Sequence, residues 1–196
     1  MNLTSKMIVV LTVLTMVAGG LLSYWDGITS PRIEAYRLEQ LKQAIAEVLP
    51  AHERYNEVTS DGMILYVGKK SSQPEPVGIA FEAVGNGFQG KISIMVGITM
   101  DFNKITAIKI LEQLETPGLG TKIVVDPSNK EDRFWFPNQF KNLIAEPQID
   151  VVKNVKPDKP NEIQAITGAT ISSQAIATIL NDEIKKAKSI YQSKGQ

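Results

Sequence analysis

The chain has 196 residues, 43% of them hydrophobic and 21% charged, which is the composition of a folded protein long enough to bury a core without disulfide staples. Lysine plus arginine equals aspartate plus glutamate, 21 each, so no excess of positive charge marks the chain for nucleic acid. With no cysteine and one histidine, His52, a disulfide framework, a cysteine-held iron–sulfur cluster and a thiol nucleophile are excluded, a histidine zinc or haem site is left almost without ligands, and a redox role has to use an organic cofactor.

Residues 7–25 contain no charged side chain. At about 1.5 Å rise per residue this run just crosses a hydrocarbon layer of roughly 30 Å. Lys6 precedes it, and Tyr24-Trp25 close it as an interfacial aromatic pair. Leu21-Leu22-Ser23-Tyr24-Trp25-Asp26 is too bulky for a small-x-small cleavage site, so the segment reads as a retained anchor over residues 1–25. The amino terminus then lies in the cytoplasm and the remaining chain on the outer face. Residues 28–48 read as a second, separate helix. Thr29-Ser30-Pro31 starts it, Leu38, Leu41, Ile45 and Val48 form its apolar stripe, and Pro50 ends it. It is expected to dock on the domain below as a connecting helix within residues 26–54.

From residue 55 the pattern changes to short β-rich runs: 64–67, 77–84, 92–98 and 105–110. The turn residues 69–76 join the first two. Gly85-Asn86-Gly87 and residues 101–104 read as hairpin connections, which predicts an antiparallel sheet. Next comes Glu115-Thr116-Pro117-Gly118-Leu119-Gly120-Thr121-Lys122. It reads either as a tight connection after a strand or as a glycine-rich loop lining a ligand, with Thr116 and Thr121 as donors. The aromatic cluster at 134–140 reads as core packing, although aromatic side chains also flank planar cofactors. A further strand is expected at 149–153, a Pro/Lys-rich turn at 155–162, and residues 163–166 lead into the last motif.

That motif is Thr167-Gly168-Ala169-Thr170-Ile171-Ser172-Ser173. From Ile171 onward Ile176, Ile179, Leu180, Ile184, Ala187 and Tyr191 recur at helical spacing, so the motif opens an amphipathic helix. Two readings of its hydroxyl cluster stay open on the residues alone. It is an N-cap, or it is an anion site in which the unpaired N–H groups and positive dipole end of the helix receive a phosphate. Residues 191–196 are expected to fray. The whole reads as an α+β protein: one transmembrane helix, then a single domain over residues 55–196 with a mostly antiparallel sheet and packed helices.

Four features, taken together and in this order, resemble the FMN-binding-domain family: the single anchor; Gly87-Phe88-Gln89-Gly90 followed by the Val96-Gly97-Ile98 strand; Glu115-Thr116-Pro117-Gly118-Leu119-Gly120; and Thr167-Gly168-Ala169-Thr170. The family includes the G subunit of Rnf ion-translocating electron-transport complexes and the C subunit of sodium-translocating NADH:quinone reductases. The length of this chain suits the Rnf branch. The resemblance implies FMN attached through a phosphoester to the hydroxyl of Thr170, installed by a separate flavin transferase. It also implies a flavin pocket lined by Thr116, Leu119, Gly120 and Thr121 together with Thr167, Gly168, Ala169, Ser172 and Ser173. The family often has an aspartate three residues before the motif, where this chain has Gln164. The implied role is an electron-transfer subunit of a membrane complex that passes electrons between ferredoxin and NAD, with partner subunits but no nucleic acid, and with its flavin domain outside the cytoplasm. The competing readings are a stand-alone membrane-tethered flavoprotein and a module that binds a phosphorylated ligand without a covalent bond.

Overall fold

The computed structural model describes residues 2–49 and 52–194. The chain divides into two compact units, Met1–Gln40 and Leu41–Gln196.

Helix α1 spans Leu3–Val48. A single element therefore stands where the sequence suggests two helices with a cap at 29–31. The local reason is the direction of the hydroxyl groups. Thr29 Oγ1 donates back to the Trp25 carbonyl at 2.9 Å, and Ser30 Oγ donates to Asp26 Oδ1 at 3.1 Å. Both serve the preceding turn rather than opening a new one. Pro31 lies inside the helix and forgoes one ladder bond without ending it. Pro50, expected to end the helix, lies outside the described residues. In the first unit every residue from 2 to 28 is exposed. Among the described residues α1 is the one helix long and apolar enough to cross a membrane.

The second unit is built on a five-stranded sheet in sequential order, β1 (Arg54–Ser60), β2 (Met63–Lys70), β3 (Gln73–Asn86), β4 (Lys91–Ile98) and β5 (Ile105–Glu112). Every neighbouring pair is antiparallel, as the turn chemistry predicts. β1 is the strand absent from the sequence reading. It lies at the edge, and its residues are exposed or half-buried throughout, so no apolar run announces it. Two connections are tighter than expected. β2 and β3 stay paired as far as Lys70 and Gln73, and β3 runs on to Asn86, so the hairpin turns at residues 87–90 with Gly87 N–H donating to the Gly90 carbonyl at 2.7 Å.

Alternation along β4 explains its uninterrupted burial. Ile92, Ile94, Val96 and Ile98 face the main core with Phe81, Phe136, Ile176 and Leu180. Met95 faces the other way, with Ala80 and Ala107, against Ala44, Ile45, Val48 and Leu49. The end of α1 within this unit is therefore one covering layer. Its carbonyl at Val48 is satisfied by Thr106 Oγ1 at 2.5 Å.

The other covering layer holds α2 (Trp135–Asn138), the parallel pair β6 (Asp150–Val152) and β7 (Glu162–Gln164), and α3 (Thr170–Lys194). The aromatic cluster belongs to this core. Phe136 and Phe140 are fully buried and meet edge to face at 5.6 Å. Gln139 clamps the β7 backbone, accepting Gln164 N–H at 2.7 Å and donating to the Gln164 carbonyl at 3.1 Å. Asn181 of α3 does the same for Ile149, at 2.8 and 3.0 Å. These two amide clamps fix the approach to α3. The stripe of α3 is buried from Ile176 to Ala187 as its periodicity requires, with Tyr191 half-buried at its end and an exception at its start. Ile171 is 61% exposed, because a residue five positions before Ile176 points well away from it on a helix of 3.6 residues per turn. The tail is helical to Lys194, and the final two residues lie outside the described ones.

Candidate functional site

The site is assembled at the first turn of α3. Gly168 has φ +84°, a left-handed conformation that glycine adopts without strain. Ala169 N–H then closes the turn onto the Ile166 carbonyl at 3.0 Å. Ser173 is fully buried. Its Oγ accepts Ile166 N–H at 3.0 Å and donates to the Ala169 carbonyl at 3.0 Å. Ser172 is also buried and donates its hydroxyl to Glu115 Oε2 at 2.5 Å. Both serine hydroxyls are thus consumed by the scaffold.

Thr170 differs. Among the described residues its hydroxyl has no hydrogen-bond partner, and its side chain lines two adjoining cavities. The helix is preceded by Ala169, which has no side-chain acceptor. The first ladder bond at this end is Ser173 N–H to the Ala169 carbonyl at 3.1 Å. The amides of Thr170, Ile171 and Ser172 lie ahead of that bond and have no partner among the described residues, as donors at the positive end of the helix. The hydroxyl cluster is therefore not a helix cap.

The 115–121 loop meets this turn directly. The Thr116 carbonyl accepts both Leu119 N–H and Thr121 N–H at 3.2 Å, and Thr121 Oγ1 accepts Gly118 N–H at 3.0 Å. A short 3₁₀ turn follows over Gly120–Ile123. A Cβ placed at Gly120 would stand 2.7 Å from Glu115 and 3.1 Å from Ser172 Oγ, so the bare backbone is what lets loop and helix touch. Leu119 reaches across to Gly168, where a Cβ would lie 3.2 Å from Leu119 Cδ2. Beyond the loop, Asp126 accepts from Ser128 N–H at 3.0 Å and Trp135 Nε1 at 3.3 Å and pairs with Lys122 at 3.4 Å. Its hydrogen bonds, first the one from the Ser128 hydroxyl, hold the carboxyl down at about 2.

The smaller cavity, about 320 Å³, is lined by Phe88, Thr116, Leu119 and Gly120 on one side and by residues 168–172 on the other. Phe88, Leu119 and Ile171 present exposed apolar surface there. The larger cavity, about 600 Å³, lies between the end of β3 and the outer face of α3, with Asn86, Lys153, Gln174 and Asp182 among its walls. Thr170 and Ile171 belong to both.

Of the residues singled out from the sequence, Thr116, Leu119, Gly120, Gly168, Ala169, Thr170 and Ser172 come together around one cavity. Three do not line it. Thr167 is exposed outside it, Ser173 is buried behind it, and the Thr121 hydroxyl is engaged by Gly118. Three others belong to the site but escaped the sequence reading of it. Phe88 had a signal, an aromatic residue in a glycine-flanked hairpin turn. Ile171 had its phase error. Glu115 opens the 115–122 motif, but nothing local signals its bonding role, because its partners are 26 to 57 residues away. No cluster of His, Cys, Asp or Glu among the described residues could hold a metal ion.

A family model described as FMN-binding domain matches residues 87–185, the stretch that contains the Phe88 turn, the 115–121 loop and the start of α3. The chain is 32% identical over 188 residues to the G subunit of the ion-translocating oxidoreductase complex of Methanosarcina acetivorans, covering 92% of each chain. It is 31% identical over 205 residues to the G subunit of the Na(+)-translocating ferredoxin:NAD(+) oxidoreductase complex of Acetobacterium woodii, covering 96% of this chain and 91% of that one. The crystal structure of NqrC from Shewanella oneidensis shares the fold, with a TM-score of 0.51 at 20% identity over 66% of this chain and 62% of that one.

Proposed function

Because the chain belongs to the FMN-binding-domain family, we propose that it is the flavin-carrying, electron-transferring G subunit of an Rnf-type ion-translocating ferredoxin:NAD oxidoreductase, with FMN joined by a phosphoester to Thr170. The residues around the smaller cavity fit such a group. Phe88, Leu119 and Ile171 offer apolar surface to a flat heterocycle, and the free amides at the start of α3 offer hydrogen bonds to a phosphate. The single observation that carries the covalent assignment is the Thr170 hydroxyl. Thr170 lines the cavity and its hydroxyl has no partner among the described residues, whereas Ser172 and Ser173 are committed to Glu115 and Ile166.

In this reading the Thr170 oxygen forms the bond to the flavin phosphate of FAD as the pyrophosphate linkage breaks, AMP leaves, and the hydroxyl proton passes to a base of the flavin transferase. The chain then needs no catalytic base of its own. Bound FMN supplies a centre that takes up and releases one or two electrons. The chain's residues hold it, keep one side apolar and leave it reachable by partner subunits. The apolar part of α1 acts as a single-pass anchor with the flavin domain on the outer side. Confinement to the membrane raises its effective concentration against the other subunits of the complex.

The test is intact mass and in-gel ultraviolet fluorescence of the denatured chain taken from its native membrane. A fluorescent band heavier by FMN less water, dark and unmodified after Thr170→Ala, is the expected result. A dark, unmodified band from cells that express the transferase overturns the covalent linkage and favours a non-covalent phosphoryl ligand.

A further inference from the structure

Glu115 is 4% exposed, and no lysine or arginine among the described residues pairs with it. A buried carboxylate without a cation is costly unless hydrogen bonds replace its water. Here they come from two other parts of the chain. Oε1 accepts Phe88 N–H at 2.7 Å and Gln89 N–H at 3.2 Å, from the β3–β4 turn. Oε2 accepts the Ser172 hydroxyl at 2.5 Å, from the first turn of α3. The chain also leaves room for the carboxylate on two sides. A Cβ at Gly87 would stand 2.2 Å from Oε1, and one at Gly120 would stand 2.7 Å from Oε2. Each segment gathered by this one carboxylate contributes a wall of the smaller cavity: Phe88 from the turn, Thr116 and Leu119 from the loop, Thr170 and Ile171 from the helix.

We propose that Glu115 is the positioning residue of the cofactor cavity. Its carboxylate draws the β3–β4 turn, the 115–121 loop and the start of α3 into one surface, and so sets the shape against which the flavin rests. This rests on the FMN reading above. The hydrogen bonds, rather than the charge itself, are the working part. A glutamine side chain at this position would keep an oxygen for the two amides, and its amide group could still meet the Ser172 hydroxyl. Glu115→Gln is therefore the conservative variant, while Glu115→Ala removes all three bonds. Gly120→Ala reaches the same end from the other side, by driving a methyl group against the carboxylate.

The experiment uses the full-length chain in detergent, with and without the Thr170→Ala change, and reads two quantities. The first is amide exchange at Phe88 and Gln89 against that at Ile94 and Val96 in β4. The second, on the flavin-loaded chains, is the flavin's visible absorption and fluorescence. For Glu115→Ala and Gly120→Ala, exchange at Phe88 and Gln89 is expected to speed up by about 10- to 100-fold, with β4 unchanged. Flavin fluorescence is expected to rise toward that of the denatured chain. Glu115→Gln is expected to return exchange to within about threefold of the unsubstituted chain and to restore the native spectrum. Unaltered exchange and spectrum in Glu115→Ala overturn the proposal. So does loss of protection across β4 in Glu115→Gln as well, which makes the residue a general fold staple. A folded Glu115→Gln chain with the disturbed spectrum also overturns it, since charge and not placement is then responsible. If Thr170 carries no flavin, the functional reading fails by mass, and the exchange measurement still decides whether Glu115 holds the walls.

Discussion

Helices α1 and α3 are both long, and their side chains meet opposite fates. Through residues 3–28 α1 is exposed on every side, although its sequence there is dominated by apolar residues; Leu14 is 64% exposed. In α3 a stripe from Ser172 to Ile190 is buried, and Leu180 is fully so. The difference teaches that a long helix packs on its own sheet through a periodic apolar stripe, and that hydrophobic content alone does not place it there. A helix apolar all round has to be covered on every side, and a length of about 20 such residues suits a lipid environment. A helix with one apolar stripe packs on its own sheet, and that packing fixes the orientation of its first turn, where Thr170 stands.

The same deletion made in both helices gives the largest contrast. Leu180→Ala is expected to destabilise the domain by about 2–5 kcal/mol, as for a fully buried leucine. Leu14→Ala is expected to leave domain stability within about 0.5 kcal/mol, and denaturant unfolding of both variants reads the pair. A charge reverses the ranking. Leu14→Arg is expected to oppose membrane insertion by about 2.5–3.5 kcal/mol, seen as transfer of the chain to the soluble fraction, with the domain's unfolding midpoint unmoved. Equal solubility of the two Leu14 variants breaks the comparison.

A smaller effect separates two positions within α3. Ser173→Ala strands the Ile166 N–H inside the turn before the helix and is expected to cost about 1–3 kcal/mol. Thr178→Ala, whose exposed hydroxyl only bonds back to Gln174, is expected to fall within about 0.5 kcal/mol. The smallest effect is acid sensitivity. The Asp126 carboxyl is held at about 2 against an ordinary 3.8. Its contribution to folding is therefore complete above pH 3.8 and is lost as pH falls toward 2. Asp126→Asn is expected to flatten the domain's unfolding profile in that window. Residues 7–25 carry no carboxylate, so membrane retention is expected to stay constant across it. A parallel loss of both sinks the idea that the two regions answer to different forces.

Much of this was readable from the residues. Short β-rich runs and turn chemistry located four of the five sheet strands, because each signal lies within a few neighbouring side chains. Helical spacing located α3 in the same way, and the glycine and hydroxyl residues at 115–121 and 167–173 marked the two segments that meet. Edge strand β1 escaped because its half-exposed residues carry no apolar run. The division of α1 at residues 29–31 failed because a Thr-Ser-Pro sequence allows a cap or a back-bonded helix with equal ease, and the hydroxyls bond backward.

What no local pattern contains is the allocation of hydrogen bonds between distant segments. By residue type and spacing Thr170, Ser172 and Ser173 are equivalent hydroxyls, and in the sequence only the likeness to the FMN-binding-domain family sets Thr170 apart. They become physically different when Glu115, 57 residues earlier, claims Ser172 and the Ile166 amide claims Ser173. By itself, then, the sequence determined the elements and the candidate motifs, since propensity and periodicity act over a turn or a strand. The tertiary structure alone decided which hydroxyl stays free and which side chains wall the cavity, because those outcomes depend on which polar groups meet after the chain has packed.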